Sequence, residues 1–415
     1  MQTNLADFIR DTPEGQEADG ILRKCTHCGM CTATCPTYLL LSDELDGPRG
    51  RIYLIKQVLE GATPTARTQL HLDRCLTCRA CETTCPSGVQ YGRLADIGRR
   101  VVEQRVARGP FESAWRWLLN TVIPQPALFN SLLFMGRLAR PLLPPSLSRK
   151  IPRGTAVESW PKASHARKML VLDGCVQPSL SPNTNAAAAR VLDRLGIALA
   201  RAPGAGCCGA VTFHLNRQEA ALDTMRKTID AWWPHIESGA EAIVMTASGC
   251  GVTVKDYGHH LAHDPAYAAK AQRVSELTKD ISEVIAAEWH RLREAGGGRR
   301  EAAKSRIAFH SPCSLQHGLK QQGKVESLLA ELGYELTPVP DSHLCCGSAG
   351  TYSILQPELS RRLRENKIAA LTSGQPAAIL TANIGCQMHL QSATDLPVRH
   401  WIEGLDEILG SDLRT

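Results

Sequence analysis

Short apolar runs alternate with longer amphipathic segments along the C-terminal part of this sequence. The run 168–173, for example, reads KMLVLD, and a segment with apolar residues on one helical face follows at 186–195. Apolar runs of this kind predict strands at 168–173, 242–246, 306–310 and 378–381. Amphipathic segments predict helices at 186–195, 218–236, 324–332 and 357–371. Because strands that alternate with helices form α/β units, the pattern predicts two successive α/β domains.

The N-terminal part has helical periodicity. Within 49–60 the apolar residues Ile52, Ile55 and Leu59 recur at the spacing of one helical face, and a second helical pattern covers 94–106. The fold class expected for the whole chain is therefore α+β, with a mainly helical N-terminal domain followed by two tandem α/β domains.

Between these parts lies the most apolar stretch of the chain, 115–147. A membrane span needs about 20 unbroken apolar residues, and this stretch is interrupted by Pro124, Pro126, Arg137, Arg140, Pro141, Pro144 and Pro145. We expect it to pack between domains or to dock a partner, with attachment to a membrane surface as the alternative. The predicted domains are 1–110, a helical linker or docking segment at 111–164, 165–294 and 300–415, with a glycine-rich joint at 295–300.

Composition and charge exclude several classes of function. The 415-residue chain carries a formal net charge of +6 that is not concentrated in one block. The sequence therefore shows no basic patch of the kind that binds nucleic acid. Its N-terminal residues are polar and acidic and do not form a signal peptide. Sixteen cysteines in such a chain indicate metal sites in a reducing compartment, so a cytoplasmic location is expected.

Two cysteine runs near the N-terminus follow the spacing C-x2-C-x2-C-x3-C-P. The second run lies 50 positions after the first, and together they contain Cys25, Cys28, Cys31, Cys35, Cys75, Cys78, Cys81 and Cys85. This run binds [4Fe–4S] clusters in bacterial ferredoxins, and its fourth cysteine ligates the other cluster when there are two. The expected ligand sets are Cys25, Cys28, Cys31 and Cys85 for one cluster, and Cys75, Cys78, Cys81 and Cys35 for the other. Two zinc sites are the alternative, but they would leave the third and fourth cysteines of each run without a role.

The eight remaining cysteines form a second duplication. Cys175, Cys207 and Cys208 recur 138 positions later as Cys313, Cys345 and Cys346, and Cys250 recurs 136 positions later as Cys386. Adjacent cysteines diverge, which suits ligation of different metal atoms better than chelation of one tetrahedral ion. Further iron–sulfur clusters, zinc or inert buried thiols remain open for these eight residues.

Two such runs followed by two Cys-Cys-Gly domains resemble the iron–sulfur subunits of membrane-associated oxidoreductases, namely those of glycolate oxidase, lactate utilisation, anaerobic glycerol-3-phosphate dehydrogenase and heterodisulfide reductase. The segments DGPRGRIY at 46–53, GCVQP at 174–178 and ANIGC at 382–386 are similar to glycolate oxidase iron–sulfur subunits in particular.

The resemblance implies an electron-transfer subunit with two [4Fe–4S] clusters, which works with flavin-binding subunits that oxidise glycolate to glyoxylate and passes the electrons towards quinone. It leaves open a peripheral position on the inner face of the cytoplasmic membrane. The sequence contains no flavin or nicotinamide fingerprint, so no substrate-oxidising site is expected on this chain.

The sequence departs from the general Cys-Cys-Gly pattern at the end of each copy. Many members continue with C-x2-C, whereas this chain reads CGVT from Cys250 and CQMH from Cys386. A five-thiolate cluster of the heterodisulfide reductase kind is therefore disfavoured. His389 is either a substitute ligand or a solvated side chain at a helix start. Arg49 and Arg51 are either counter-charges to the clusters or solvated charges at a helix start.

Three functions remain to be distinguished. The first is the electron-transfer subunit described above, with lactate or glycerol 3-phosphate as alternative substrates of the complex. The second is a heterodisulfide-reductase-like protein whose Cys-Cys-Gly sites do the chemistry. The third is a scaffold stabilised by zinc.

Overall fold

The N-terminal unit is almost entirely helical. The computed structural model describes residues 1–144, 151–152, 154–162, 164–295 and 305–410. Its first seven α-helices are α1 (Asp7–Arg10), α2 (Pro13–Lys24), α3 (Pro36–Leu41), α4 (Pro48–Leu59), α5 (Ala66–Asp73), α6 (Ala80–Thr84) and α7 (Tyr91–Arg105), with 3-10 turns at Met30–Thr34 and Glu44–Asp46. The two helices predicted at 49–60 and 94–106 are α4 and α7, and α7 begins three residues earlier than expected.

Helices α4 and α7 form the centre of this unit. Ile52, Ile55 and Leu59 on α4 are buried as their spacing predicts. Gly98 on α7 lies against α4 so closely that a Cβ added there would be 2.6 Å from Ile55 Cγ1. Because only glycine permits this approach, the crossing of the two helices is fixed at Gly98.

Two helices follow that expose much of their apolar surface, α8 (Pro110–Val122) and α9 (Pro126–Ala139). Among the described helices, none alone is long and apolar enough to cross a membrane. Taken together, α8 and the continuous segment Pro126–Leu142 satisfy length and composition, but they meet at 104°. Pro124 and Pro126 lie at this bend, where proline interrupts helical hydrogen bonding.

The remainder contains two parallel four-stranded sheets with strand orders β2-β1-β3-β4 and β6-β5-β7-β8. The strands are β1 (Arg167–Val171), β2 (Ile197–Arg201), β3 (Ile243–Met245), β4 (Thr278–Asp280), β5 (Arg306–His310), β6 (Glu335–Leu336), β7 (Ala378–Thr381) and β8 (Val398–His400). In register, Leu170 pairs with Ile243 in the first sheet and Ala308 with Ile379 in the second. The α+β fold class is therefore confirmed.

The helices around the sheets occur in two sets. The first set is α10 (Gln177–Leu180), α11 (Asn183–Asp193), α12 (Ala210–His214), α13 (Gln218–Glu237), α14 (Ser248–Lys255), α15 (Tyr257–His260), α16 (Ala268–Leu277), α17 (Ile281–Ala287) and α18 (Trp289–Ala295). The second set is α19 (Lys324–Glu331), α20 (Tyr352–Leu355), α21 (Pro357–Thr372), α22 (Ile384–Gln391) and α23 (Trp401–Gly410), with a π-helical turn at Ser314–Gly318. The joint predicted at 295–300 falls almost wholly outside the described residues.

The two sheet domains share one apolar core, which contains Val244 from the first sheet and Phe309 from the second. Helix α11 packs on α23 and is tied to it by a hydrogen bond of 2.6 Å from Thr184 Oγ1 to Glu403. Arg190 Nε on α11 donates to Asp406 on α23 at 2.8 Å. The two copies therefore form one packed pair.

The helical N-terminal unit contacts both members of this pair. Arg79 forms an ion pair of 2.6 Å with Asp256 of the first copy. Thr83 Oγ1 lies 3.1 Å from His317 Nδ1 of the second copy. A small apolar cluster buries Leu76 against Tyr352, and Cys78 and Cys313 pack on its margin. The second cysteine run thus lies at the junction with the second Cys-Cys-Gly domain.

Candidate iron–sulfur centres

One cavity of the N-terminal unit is lined by the first predicted ligand set, Cys25, Cys28, Cys31 and Cys85. Cys25 follows α2, Cys31 lies in the 3-10 turn, and Cys85 follows α6. Cys28 is exposed, which places this cavity at the surface of the protein. Burial raises the pKa of the Cys31 thiol to about 11. Four convergent soft thiols are a donor set that fits a [4Fe–4S] cluster.

A second cavity is lined by the other predicted set, Cys35, Cys75, Cys78 and Cys81. Cys81 and Tyr91 border both cavities, so the two sites adjoin. The structure thereby brings the fourth cysteine of each run to the other run's first three cysteines. Ligation by these eight residues stays a prediction, and their arrangement fits it.

Both cysteine runs turn through left-handed backbone at corresponding positions. His27 and Gly29 have φ values of 58° and 82°, and Thr77 and Arg79, each 50 positions later, have 52° and 59°. The backbone N–H of Thr77 consequently donates to Cys75 Sγ at 3.4 Å. The position of Gly29 is thus defined by its backbone conformation, which Arg79 also adopts despite its Cβ.

Arg51 places a buried positive charge beside the second cavity, of which it forms part of the wall. Its side chain is 1% exposed, so it is not a solvated charge at a helix start. The guanidinium donates to the His71 carbonyl at 2.7 Å, to Thr37 Oγ1 at 3.1 Å and to Asp46 Oδ1 at 3.4 Å. Burial alone would raise the pKa of Cys75, but the charges of Arg51 and Arg99 outweigh it and lower that pKa.

Arg49 differs from Arg51 although it lies only two residues away. It borders the first cavity, but its side chain is 39% exposed and forms an ion pair of 2.6 Å with Glu44. Solvent screens such a charge, so Arg49 exerts a weaker field on its cavity than Arg51 does on the second.

The first Cys-Cys-Gly domain brings its four cysteines together. Cys175 follows β1, Cys207 and Cys208 precede α12, and Cys250 lies in the first turn of α14. Hydrogen bonds from the Cys175 and Cys208 thiols lower the pKa of Cys207 to about 3. The neighbouring Cys207 and Cys250 thiols, together with burial, raise the pKa of Cys208 well above its usual range. The four thiols form one contiguous group.

The second Cys-Cys-Gly domain repeats this arrangement. Cys313 Sγ and Cys345 Sγ are 3.8 Å apart. The adjacent Cys345 thiol lowers the pKa of Cys346, but Cys386 and burial outweigh it and raise that pKa well above its usual range. The Cys313–Cys345 pair is near Cys78 of the second cavity. Burial raises the pKa of Cys78 well above its usual range, and the charge of Cys313 raises it further. This thiol group is therefore the immediate neighbour of the second predicted cluster site.

The glycine of each Cys-Cys-Gly motif has a left-handed backbone, with φ values of 84° at Gly209 and 86° at Gly347. In this conformation the Gly209 and Gly347 N–H groups donate to Cys207 Sγ and Cys345 Sγ, each at 3.4 Å. The glycine therefore turns the chain so that its amide stabilises the first sulfur of the motif.

Replacing Gly347 with alanine is expected to destabilise the protein more than replacing Gly209. Either alanine is held at positive φ, which costs about 1–2 kcal/mol. At Gly347 the new Cβ would also be 2.7 Å from the Ser360 carbonyl oxygen, whereas at Gly209 the nearest atom, the Ala221 carbonyl oxygen, is 3.3 Å away. Anaerobic thermal unfolding measures the difference, and equal decreases in Tm would show that the close contact is relieved without cost.

The histidine that lies beside the thiols of the second Cys-Cys-Gly domain is His310 and not the candidate His389. Among the described residues, His389 belongs to no group of side chains that could hold a metal ion. Its Nε2 lies 3.3 Å from Ser360 Oγ, and burial lowers its pKa to about 4. His310 at the end of β5 instead lies with Cys346 and Cys386, and their ligand atoms are all within 4.8 Å of one another. Sequence reasoning missed His310, although its counterpart 138 positions earlier is Leu172, a difference visible in the repeat.

Two adjoining four-thiol cavities in a helical unit, docked on a pair of cysteine-rich domains, define an iron–sulfur electron-transfer protein. Residues 24–89 match the 4Fe-4S dicluster domain family, and residues 169–255 and 307–391 match the family called Cysteine-rich domain.

The chain is 57% identical over 410 residues to the glycolate oxidase iron-sulfur subunit of Escherichia coli (strain K12), with 99% of each chain covered. It is 26% identical to the probable glycolate oxidase iron-sulfur subunit of Bacillus subtilis (strain 168), over 90% of this chain and 89% of that one. Lactate utilization protein A of Bacillus licheniformis is 25% identical over 52% of this chain and 87% of its own. The chain belongs to the family of glycolate oxidase iron–sulfur subunits, and its role is electron transfer.

Proposed function

We propose that this chain receives electrons from flavin-binding subunits that oxidise glycolate to glyoxylate, and that it passes them towards quinone. Oxidation of the 2-hydroxy acid releases two electrons and two protons, and a flavin can take up the electron pair and release it one electron at a time. The observation that carries the proposal is the pair of adjoining four-thiol cavities in a chain 57% identical to a glycolate oxidase subunit. Bound [4Fe–4S] clusters would supply one-electron acceptance and donation there.

The protein's own residues support this role in distinct ways. Cys28 is exposed and gives the first cavity an edge at which a partner subunit can approach. Tyr91 and Cys81 separate the two cavities by a single layer of side chains. Arg51 supplies a buried positive charge that favours the more negative, reduced state of the second site.

The proposal is tested by anaerobic purification of the chain with its partner subunits and assay with a dye acceptor. We expect glycolate to reduce the dye and lactate, glycerol 3-phosphate and disulfides to be poorer substrates. Preference for lactate or glycerol 3-phosphate would replace the proposed substrate. Turnover of a disulfide by the isolated chain would instead assign the chemistry to the Cys-Cys-Gly sites and overturn the electron-transfer proposal.

We also propose that α8 and α9 attach the complex to the inner face of the cytoplasmic membrane. Their exposed large apolar side chains are Phe111, Trp115, Trp117, Leu118, Leu132, Phe134, Met135 and Leu138, followed by Leu142. No acidic residue occurs between Glu112 and Glu158, whereas arginine recurs there. Aromatic and apolar side chains in a cationic segment are suited to the interface of a bilayer that contains anionic lipid.

Replacing both Trp117 and Phe134 with glutamate is expected to weaken binding to vesicles containing anionic phospholipid by at least about 100-fold. Burial of one large apolar side chain contributes about 1.5–3 kcal/mol, so loss of two exceeds this factor. Cosedimentation measures binding, and the matched control replaces Leu70 and Ile354, exposed apolar residues elsewhere, with glutamate. Vesicle binding that is equally strong in both double variants would exclude α8 and α9 as the attachment surface.

A further inference from the structure

We propose that His310, Cys346 and Cys386 bind a single Zn²⁺ ion in the second Cys-Cys-Gly domain, separate from the two ferredoxin-type clusters. The three residues come from different elements, since His310 ends β5, Cys346 lies in the motif loop and Cys386 lies in the first turn of α22. All three are buried. The set mixes imidazole with thiolate, which is a common donor combination for zinc.

The spacing of the ligand atoms favours one ion over a cubane cluster. Zn–S bonds of about 2.3 Å and Zn–N bonds of about 2.0–2.1 Å place tetrahedral ligand atoms ~3.5–3.8 Å apart. The imidazole nitrogen and the two sulfurs lie within 4.8 Å of one another, so small side-chain movements complete the geometry. In a cubane each cysteine binds a different iron, which requires wider separation. Neither ferredoxin-type set forms such a compact triple among the described residues.

The hydrogen bonding of His310 is incomplete, as it is for several other buried side chains, including His400. It is 2% exposed, and its Nε2 atom has no hydrogen-bond partner among the described residues. A buried polar nitrogen without a partner costs about 1–3 kcal/mol. A metal ion held with Cys346 and Cys386 removes that cost, because imidazole nitrogen then binds zinc directly.

A buried cation accompanies this site in the second copy. Lys367 on α21 is 3% exposed, and it donates to the Asp341 carbonyl at 2.8 Å. Burial lowers the pKa of Lys367, and the charges of the nearby Cys346 and Cys345 thiols oppose that decrease. The positions 138 residues earlier hold Ile229 in place of Lys367 and Leu172 in place of His310. The first copy therefore lacks both the nitrogen ligand and the counter-charge, and we assign the zinc site to the second copy alone.

The test uses the full chain, purified anaerobically with its clusters, and compares His310→Leu with the wild type. Leucine is the residue that the first copy has at this position. We expect the wild type to retain about one Zn²⁺ per chain after exchange against a weak chelator, and His310→Leu to lose it while keeping its iron. X-ray absorption at the zinc edge should show nitrogen and sulfur ligands together.

Two further variants separate ligation from folding. His310→Cys offers a thiolate in place of the imidazole, so we expect it to bind zinc again with sulfur ligands only. His400→Leu changes an equally buried histidine at the end of β8 in the same sheet. The His400 Nδ1 accepts from the Ile402 N–H at 3.2 Å and its Nε2 also has no partner among the described residues, so this variant should retain zinc. Equal zinc in wild type and His310→Leu, absence of zinc from the wild type, or iron at this site in place of zinc would each overturn the proposal.

Discussion

Replacing Cys78 with serine is expected to stop electron delivery to a dye acceptor while the substrate still reduces the flavin of the partner subunit. Cys78 lines the second cavity, and it packs together with Cys313 on the apolar cluster that contains Leu76. Mutation of a residue that only supports a metal ligand typically lowers metal affinity or activity by about 10–100-fold. Loss of the ligand itself should therefore lower the rate of electron transfer to the dye by more than about 100-fold. Stopped-flow absorbance separates the two steps, since flavin bleaching and dye reduction are recorded independently.

The matched control is Cys250→Ser, which removes a half-buried thiol from the first Cys-Cys-Gly domain. It should leave both ferredoxin-type sites filled, as judged by iron content and by the electron paramagnetic resonance of the reduced protein. Slower flavin reduction in Cys78→Ser would contradict a relay role, because the chemistry on the substrate would then depend on this chain. Normal dye reduction would contradict the assignment of Cys78 as a ligand.

The central strands were predictable because they are apolar on both faces. The four predicted strands correspond to β1, β3, β5 and β7, which occupy the inner positions of the two sheets. All four outer strands were missed. The prediction overlooked β2 although it reads IALAR, an alternating pattern, whereas β4 reads TKD, β6 reads EL and β8 reads VRH, and these three short polar segments have no periodicity. Packing against an inner strand, and not local preference, makes them strands.

The cysteine sets were predictable from spacing, but the charges around them were not. The spacing of the cysteines within each run is a local property, so it can be read from the sequence. Whether Arg51 is solvated or buried depends on Asp46 and His71, which approach it only in the folded unit. His310 likewise becomes a candidate ligand only when β5 and α22 bring it to Cys386. Contacts between residues far apart in the sequence cannot be predicted from the periodicity of apolar positions.

Replacing Arg51 with methionine is expected to give the largest loss of stability of any substitution of an arginine beside the cavities. Methionine has similar length and no charge, so Asp46 is left buried with only His71 Nδ1 at 3.1 Å and Arg74 at 2.8 Å. Removing one partner of a buried ion pair costs about 3–5 kcal/mol when the other charge is left unpaired. Because Asp46 keeps its ion pair with Arg74, we expect a loss at the lower end of that range. Anaerobic urea unfolding of the cluster-loaded protein should show this as a lower midpoint and faster loss of cluster absorbance.

Arg49→Met is the matched control, because it removes the same charge two residues earlier on the same helix. Its ion pair with Glu44 is exposed, and such pairs contribute about 0–1 kcal/mol, so the unfolding midpoint should hardly change. Arg51→Met should also make the reduction potential of the second site more negative, since the reduced state loses a neighbouring positive charge. An unchanged potential together with normal stability would contradict the role of Arg51 as a buried counter-charge of the second site. Equal effects of the two substitutions would assign the charge effect to the helix as a whole and contradict a specific role for Arg51.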